Sequence, residues 1–192
     1  MKIVLINSSG RKNGNTAEIL GIFKRALDDG LSVAEYIHLT DYTVKTCRGC
    51  RVCFDRGEEN CPLKDDLLAI HTKLEWADIV IFGSPVYVED VNGVMKNFID
   101  RLAFNSHRPH YGGKMAYVLS TSGIGSTRHT LTTMSRALQT WGMVMLGSSR
   151  YSCGAKIETE DAEKLYGSMI RKDAARIKAG MKSVRPAFVP LL

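Results

Sequence analysis

Short, nearly unbroken apolar runs alternate along this chain with stretches in which apolar residues recur every three or four positions. These are the signatures of buried strands and amphipathic helices. Lys2 to Asn7 (KIVLIN) reads as a parallel strand covered on both faces. Asn15 follows as a helix N-cap with Glu18 three residues on, and Ile19, Leu20, Phe23, Ala26 and Leu27 mark a helical face ending near Gly30. A strand is predicted at Val33 to Leu39. Leu67, Leu68, His71 and Leu74 predict a second helix, and Asp78 to Gly83 a buried strand closed by Ser84-Pro85. Val94, Met95, Phe98, Ile99 and Leu102 recur at helical spacing, and Met115 to Ser120 is a fourth strand. Leu131, Met134, Leu138 and Trp141 form the stripe of the next helix, with Gly142 as its C′ residue. Met143 to Ser148 is a fifth strand. A final helix carries Ala162, Leu165, Tyr166, Met169, Ile170, Ala174, Ile177 and Met181 on its apolar face. The tail Arg185 to Leu192 reads as irregular and is expected to pack on the body or on a neighbouring subunit.

Strands alternating with helices predict right-handed crossovers and a five-stranded parallel sheet with helices on both faces. The expectation is one α/β domain over residues 1–192, with a cysteine-rich loop inserted at 45–65. In a sheet of order 2-1-3-4-5, ligands bind beyond the carboxyl ends of the strands, between the first and the third. The turns after Asn7 and Gly83 are therefore the ones to inspect.

Composition adds limits. With 44% hydrophobic and 24% charged residues among 192, the chain is of the globular rather than the disordered type. It has no apolar run long enough for a membrane span. Its start, MKIVLINSSG, is too short an apolar stretch for a secretory leader. A cytoplasmic location follows as the expectation, where structural disulfides are rare. The net charge is +6, and Arg171, Lys172, Arg176, Lys178 and Lys182 crowd toward the end of the last helix, where cations complement its dipole. Without basic residues interleaved with aromatics along a groove, nucleic acid is not an expected partner. An acidic protein or an anionic cofactor suits the charge.

The turn after the first strand, Ser8-Ser9-Gly10-Arg11-Lys12-Asn13-Gly14-Asn15-Thr16, opens directly into a helix. Free backbone N–H groups and the helix dipole make that a phosphate site, to which hydroxyls, Asn15 and a basic residue can add bonds. The pyrophosphate and nucleoside-triphosphate motifs are absent from it. The turn after the third strand runs Ser84-Pro85-Val86-Tyr87-Val88-Glu89-Asp90 and offers apolar support to a flat ring. The turn after the fourth, Ser120-Thr121-Ser122-Gly123-Ile124-Gly125, lets backbone approach a ligand closely.

Four of the five cysteines, Cys47, Cys50, Cys53 and Cys61, fall within fifteen residues. A metal centre, a disulfide knot and a redox dithiol are the physical explanations open to such crowding. Ligands three residues apart let a loop curl around an iron–sulfur cluster. Structural zinc more usually takes two separated C-x2-C pairs, and a set of reduced, unmetallated thiols remains open. Cys153 reads as a small packed residue and His71 as a hydrogen-bonded core histidine. His107 and His110 stand in a loop expected to border the ligand or a subunit contact. No arrangement of histidine with cysteine or carboxylate points to hydrolysis.

The segments NSSGRKNGNTAEI, GSPVYVEDVNGVMKNFIDR and LSTSG together resemble the flavin-contacting segments of flavodoxin-like NADPH-dependent FMN reductases. With CRGCRVC and the later Cys61-Pro62, the chain resembles the iron–sulfur flavoproteins within that group. The resemblance spans roughly residues 1 to 180. It implies FMN with its phosphate on Ser8, Ser9, Arg11, Asn13, Asn15 and Thr16, and its ring against Pro85, Val86, Tyr87, Val88 and Thr121-Ser122-Gly123. It implies a 4Fe-4S cluster on Cys47, Cys50, Cys53 and Cys61, and a homodimer or homotetramer, because relatives complete the flavin pocket across subunits. The expected activity is that of an oxidoreductase moving electrons between NAD(P)H, or ferredoxin or another acidic carrier, and a small-molecule acceptor. The rivals are an electron carrier without a substrate of its own, a reductase with an unmetallated cysteine loop, and a thiol-based sensor. The cysteine loop, following the second strand, is expected to emerge at the same edge as the flavin turns.

Overall fold

The structure is a computed structural model that describes residues 1–183, with backbone alone from 181 on. The tail from Arg185 and the side chains of Met181 and Lys182 lie outside the described residues. The elements are β1 (Lys2–Asn7), α1 (Asn15–Leu27), β2 (Val33–His38), a short α2 (Val52–Asp55), α3 (Leu67–Trp76), β3 (Ile79–Tyr87) and β4 (Asp90–Val91). They continue with α4 (Gly93–Arg101), β5 (Met115–Ser122), α5 (Arg128–Thr140), β6 (Val144–Ser152) and α6 (Thr159–Ser183). Among these residues no helix is long and apolar enough to cross a membrane.

Five strands pair in parallel in the order β2-β1-β3-β5-β6, and β4 is an extra short strand antiparallel to β3. The unbroken apolar runs are explained by two separate cores. Val4, Ile6, Val80, Phe82, Ala116 and Val118 face α3, α4 and α5, while Ile3, Leu5, Ile79, Ile81, Tyr117 and Leu119 face α1 and α6. Alternate residues of β1, β3 and β5 are thus buried on opposite sides, which reserves the middle of these strands for apolar side chains.

Several boundaries differ from the sequence expectation, each for a local reason. β3 continues through Pro85 to Tyr87, because Pro85 aligns with Thr121 of β5 and the last two residues gain β4 as a partner. The N-cap of α1 is Gly14, without a side-chain bond. The Asn15 side chain is spent on the segment before α6, donating to Ala155 O (2.9 Å) and accepting from the Ile157 N–H (3.0 Å). Leu68, Leu165 and Met169 stand exposed, so the apolar stripes of α3 and α6 are narrower than their sequences suggest. The end of α5 follows expectation. Gly142 has φ +88, its N–H bonds Gln139 O and the Met143 N–H bonds Leu138 O, the paired bonds of a helix closed by a left-handed residue.

Candidate functional site

The turns leaving β1, β3 and β5 meet at one end of the sheet around a cavity of about 160 Å³. From the first turn it is lined by Ser9, Arg11, Gly14, Asn15 and Thr16, from the second by Pro85, Val86 and Tyr87, and from the third by Thr121, Ser122 and Gly123. Gly154, beyond β6, completes the wall. Three of the residues singled out from sequence do not line it. The Ser8 hydroxyl is buried and donates to Gly83 O (3.3 Å), Asn13 is exposed, and Val88 is 99% exposed at the tip of the β3–β4 hairpin.

The first turn is held in shape by polar side chains beneath it. Asn7 Oδ1 accepts from the Ser9 N–H (2.9 Å), and Ser9 Oγ accepts from the Arg11 N–H (3.1 Å). A ring nitrogen of His38 lies 2.7 Å from Ser9 O, and Asn92 Nδ2 donates to Ser8 O (2.6 Å). The same Asn92 caps α4 by accepting the Met95 N–H (3.1 Å). With the turn so fixed, the backbone N–H groups of Asn15 and Thr16, the first two of α1, have no acceptor among the described residues. Two free amides at a helix N-terminus beside Arg11 form a cradle for an anion. The Thr16 and Thr121 hydroxyls lie 2.7 Å apart and tie the cradle to the third turn. A Cβ on Gly123 would stand 3.2 Å from Gly154 O, so this wall is built to minimal thickness. The hairpin tip holds Val88 and Glu89 at φ 49 and 66, a left-handed pair that is costly for a β-branched residue.

The four clustered cysteines are free thiols and line a second cavity of about 80 Å³ against Leu63, Leu67 and Phe104. Cys47 and Cys50 are exposed, and Cys53 and Cys61 are half-buried. The Gly49 N–H points to Cys47 Sγ (3.5 Å) and Arg101 Nη2 to Cys61 Sγ (3.9 Å). Burial first, and then the neighbouring Cys61, push the Cys53 thiol up. Four thiols lining one cavity are the donor set of a thiolate-bound metal centre, and the residues present fit such a group.

This cavity is not at the rim. The segment after β2 leaves the sheet there, but α4 carries it away: Asn97 Nδ2 donates to Val44 O (2.8 Å) and Arg101 Nη1 to Lys45 O (2.7 Å). Asn92 touches the first turn at one end of α4 and Arg101 touches Cys61 at the other. At about 1.5 Å per residue, a helix of this length separates its ends by roughly 13 Å. The loop bearing His107 and His110 borders the thiols rather than the rim. His107 packs edge-on against Phe54 (5.0 Å), and Arg108 donates to Cys53 O.

Sequence reasoning missed the residues that anchor these parts. Arg101 and Asp65 form an ion pair (2.5 Å) with side chains only 2% and 1% exposed. Burial alone would push the Asp65 carboxyl up. The Arg101 guanidinium and the Lys45 and Leu67 N–H groups outweigh it and hold the group below its ordinary value. The available signal was a charge at the i+3 position from Phe98, inside the apolar stripe of α4. Asn7 and His38 carried no such signal, since strand ends are routinely polar.

A parallel sheet whose switch-point turns close on an anion cradle defines a flavodoxin-like, mononucleotide-binding type of protein. Residues 1–157 match NADPH-dependent FMN reductase, and the chain belongs to that family. It is 34% identical over 148 residues to an iron–sulfur flavoprotein of Archaeoglobus fulgidus, covering 77% of this chain and 66% of that protein. A second iron–sulfur flavoprotein of the same organism is 39% identical over 101 residues, covering 53% and 48%. The chain thus spans somewhat under two thirds, and about half, of the lengths of these relatives. In fold it is similar to RosB, solved with 8-demethyl-8-formylriboflavin-5'-phosphate, at TM-score 0.79 and 14% identity over all of this chain and 83% of that one.

Proposed function

We propose that the protein is an FMN-dependent oxidoreductase of the iron–sulfur flavoprotein type, taking electrons from NAD(P)H or a ferredoxin-type donor and passing them to a small-molecule acceptor. The observation that carries this reading is the single cavity on which three switch-point turns converge with the Asn15 and Thr16 amides free. FMN would supply reversible one- and two-electron transfer there, and a 4Fe-4S cluster on Cys47, Cys50, Cys53 and Cys61 single-electron transfer.

The chain's own contribution is binding and orientation. The α1 amides, Ser9 and Arg11 would hold the phosphate. Pro85, Val86 and Tyr87 would give the ring apolar support, and the thin wall at Gly123 would let backbone approach it. Tyr87 is half-exposed at the mouth, where a nicotinamide or an acceptor would enter. The basic balance of the chain suits an acidic electron carrier as donor.

Anaerobic purification followed by a visible spectrum and by flavin, iron, sulfide and zinc analysis tests the assignment. The expected result is FMN bound, with roughly four iron and four sulfide per chain, as a four-thiolate ligand set implies. Protein that stays colourless after incubation with FMN removes the proposal. Reversible reduction by ferredoxin without any NAD(P)H oxidation would mark a carrier instead of an enzyme.

A further inference from the structure

Beside the thiol cavity lies a second set of ligand-type side chains, Glu58, His71 and His110, whose donor atoms all lie within 4.8 Å of one another. We propose that this is a separate binding site for a divalent transition metal of the zinc class, independent of the four thiols and of FMN. The three residues come from three places: the 3-10 turn at Glu58–Asn60, α3, and the loop before β5.

What distinguishes the group from a chance cluster is that His71 and Glu58 are each already held by an outer partner. His71 is buried and its Nδ1 lies 2.6 Å from the Tyr111 hydroxyl, which leaves Nε2 as its donor. His110 Nδ1 lies 3.4 Å from Glu75 Oε1, and its Nε2 lies 3.4 Å from Glu58 Oε1. Glu58 Oε2 is held by Arg108 at 3.3 Å, so Oε1 is the oxygen left to face the two imidazoles. Glu75 Oε1 is also 3.7 Å from His71 Nε2 and stands beside the same centre. A hydroxyl behind His71 and a cation behind the Glu58 carboxylate are outer partners of the kind that orient ligands in metal sites. Two imidazoles with one carboxylate select zinc and its neighbours over magnesium or calcium, which prefer oxygen alone. Side-chain exposures of 27% for His110 and 17% for Glu58 give the ion a way in.

Without an ion the two histidines would be paired with carboxylates alone. Glu58 precedes Cys61 by three residues and also lines the thiol cavity, so an ion here would fasten the fourth thiol's turn onto α3.

The test uses the anaerobically purified protein with its thiols occupied. It is dialysed against Zn2+ and compared with His110→Ala, the isosteric Glu58→Gln, and Tyr111→Phe. Wild type should retain one zinc beyond any held by sulfur. His110→Ala should lose it with iron content unchanged, and Glu58→Gln should lose it as well. Tyr111→Phe, which keeps all three ligands, should bind Zn2+ about 10-fold to 100-fold more weakly, as loss of such an outer partner typically does. With Co2+ as the probe, the absorption lost in the His110→Ala protein should be the part without sulfur-to-metal charge transfer. Equal zinc retention by wild type and both ligand variants, or no zinc bound by wild type beyond the thiols, overturns the proposal.

Discussion

At the rim of the sheet, the turns after β1, β3 and β5 reach one cavity because the strands that carry them are hydrogen-bonded neighbours. At the other end of α4 the thiols have no such frame. Their segment contains only a four-residue helix and a 3-10 turn, and it is held by side chains reaching from elsewhere: Asn97, Arg101 and Arg108. The rim is specified by topology and the thiol cavity by a few polar contacts. Two regions built so differently should fail separately.

The largest effect should come from Cys61→Ser, which removes one of four ligands. Iron and sulfide are expected to drop from roughly four per chain to near zero while bound FMN is retained; loss of both together would mean the two regions are not independent. Arg101→Met should follow, since it leaves Asp65 buried without its partner. The expected loss is about 3–5 kcal/mol in urea unfolding, and the double change Arg101→Met with Asp65→Leu should recover much of it.

The same pair gives a pH signature. Because the folded Asp65 carboxyl lies below its ordinary 3.8, its contribution is complete above that value. It is lost as pH falls through the lower folded value. Stability measured against pH should therefore lose part of its acid limb in Asp65→Asn.

At the rim, Arg11→Ala should weaken FMN about tenfold, near 1.4 kcal/mol, and leave riboflavin affinity and iron content unaltered. An equal loss for riboflavin would show that Arg11 does not meet a phosphate. The smallest effect is reserved for Lys96→Ala, midway along α4. Its exposed pair with Asp100 (2.6 Å) should contribute no more than about 0.5 kcal/mol, with neither bound FMN nor iron changed.

Much of the rim could be read in advance because burial on both faces leaves the strands no freedom of pattern, and the turns then follow from strand order. Where the reading slipped, a local rule competed with a distant contact. Pro85 looks like a terminator, yet pairing with β5 and β4 carries β3 past it. Asn15 looks like a cap, yet its amide is claimed by residues 155–157, some 140 positions away in sequence. Ser8 has the composition of an anion ligand, but alternation along an extended chain turns it under the turn toward Gly83. The thiol quartet was plain in sequence and its location was not. Its tethers lie on α4 and in the loop after it, about fifty residues later, and nothing near the cysteines indicates them.

The helix between the two cavities has a further consequence. With Asn92 pinned at one end and Arg101 at the other, α4 acts as a spacer bar whose graduation is the amino-acid residue. Adding one residue to it would shift the far end by about 1.5 Å and swing it by about 100°, so the gap can change only in discrete steps, most of them misdirected. The cysteine segment, with only a four-residue helix and a 3-10 turn, imposes no such step on the distance between the two cavities.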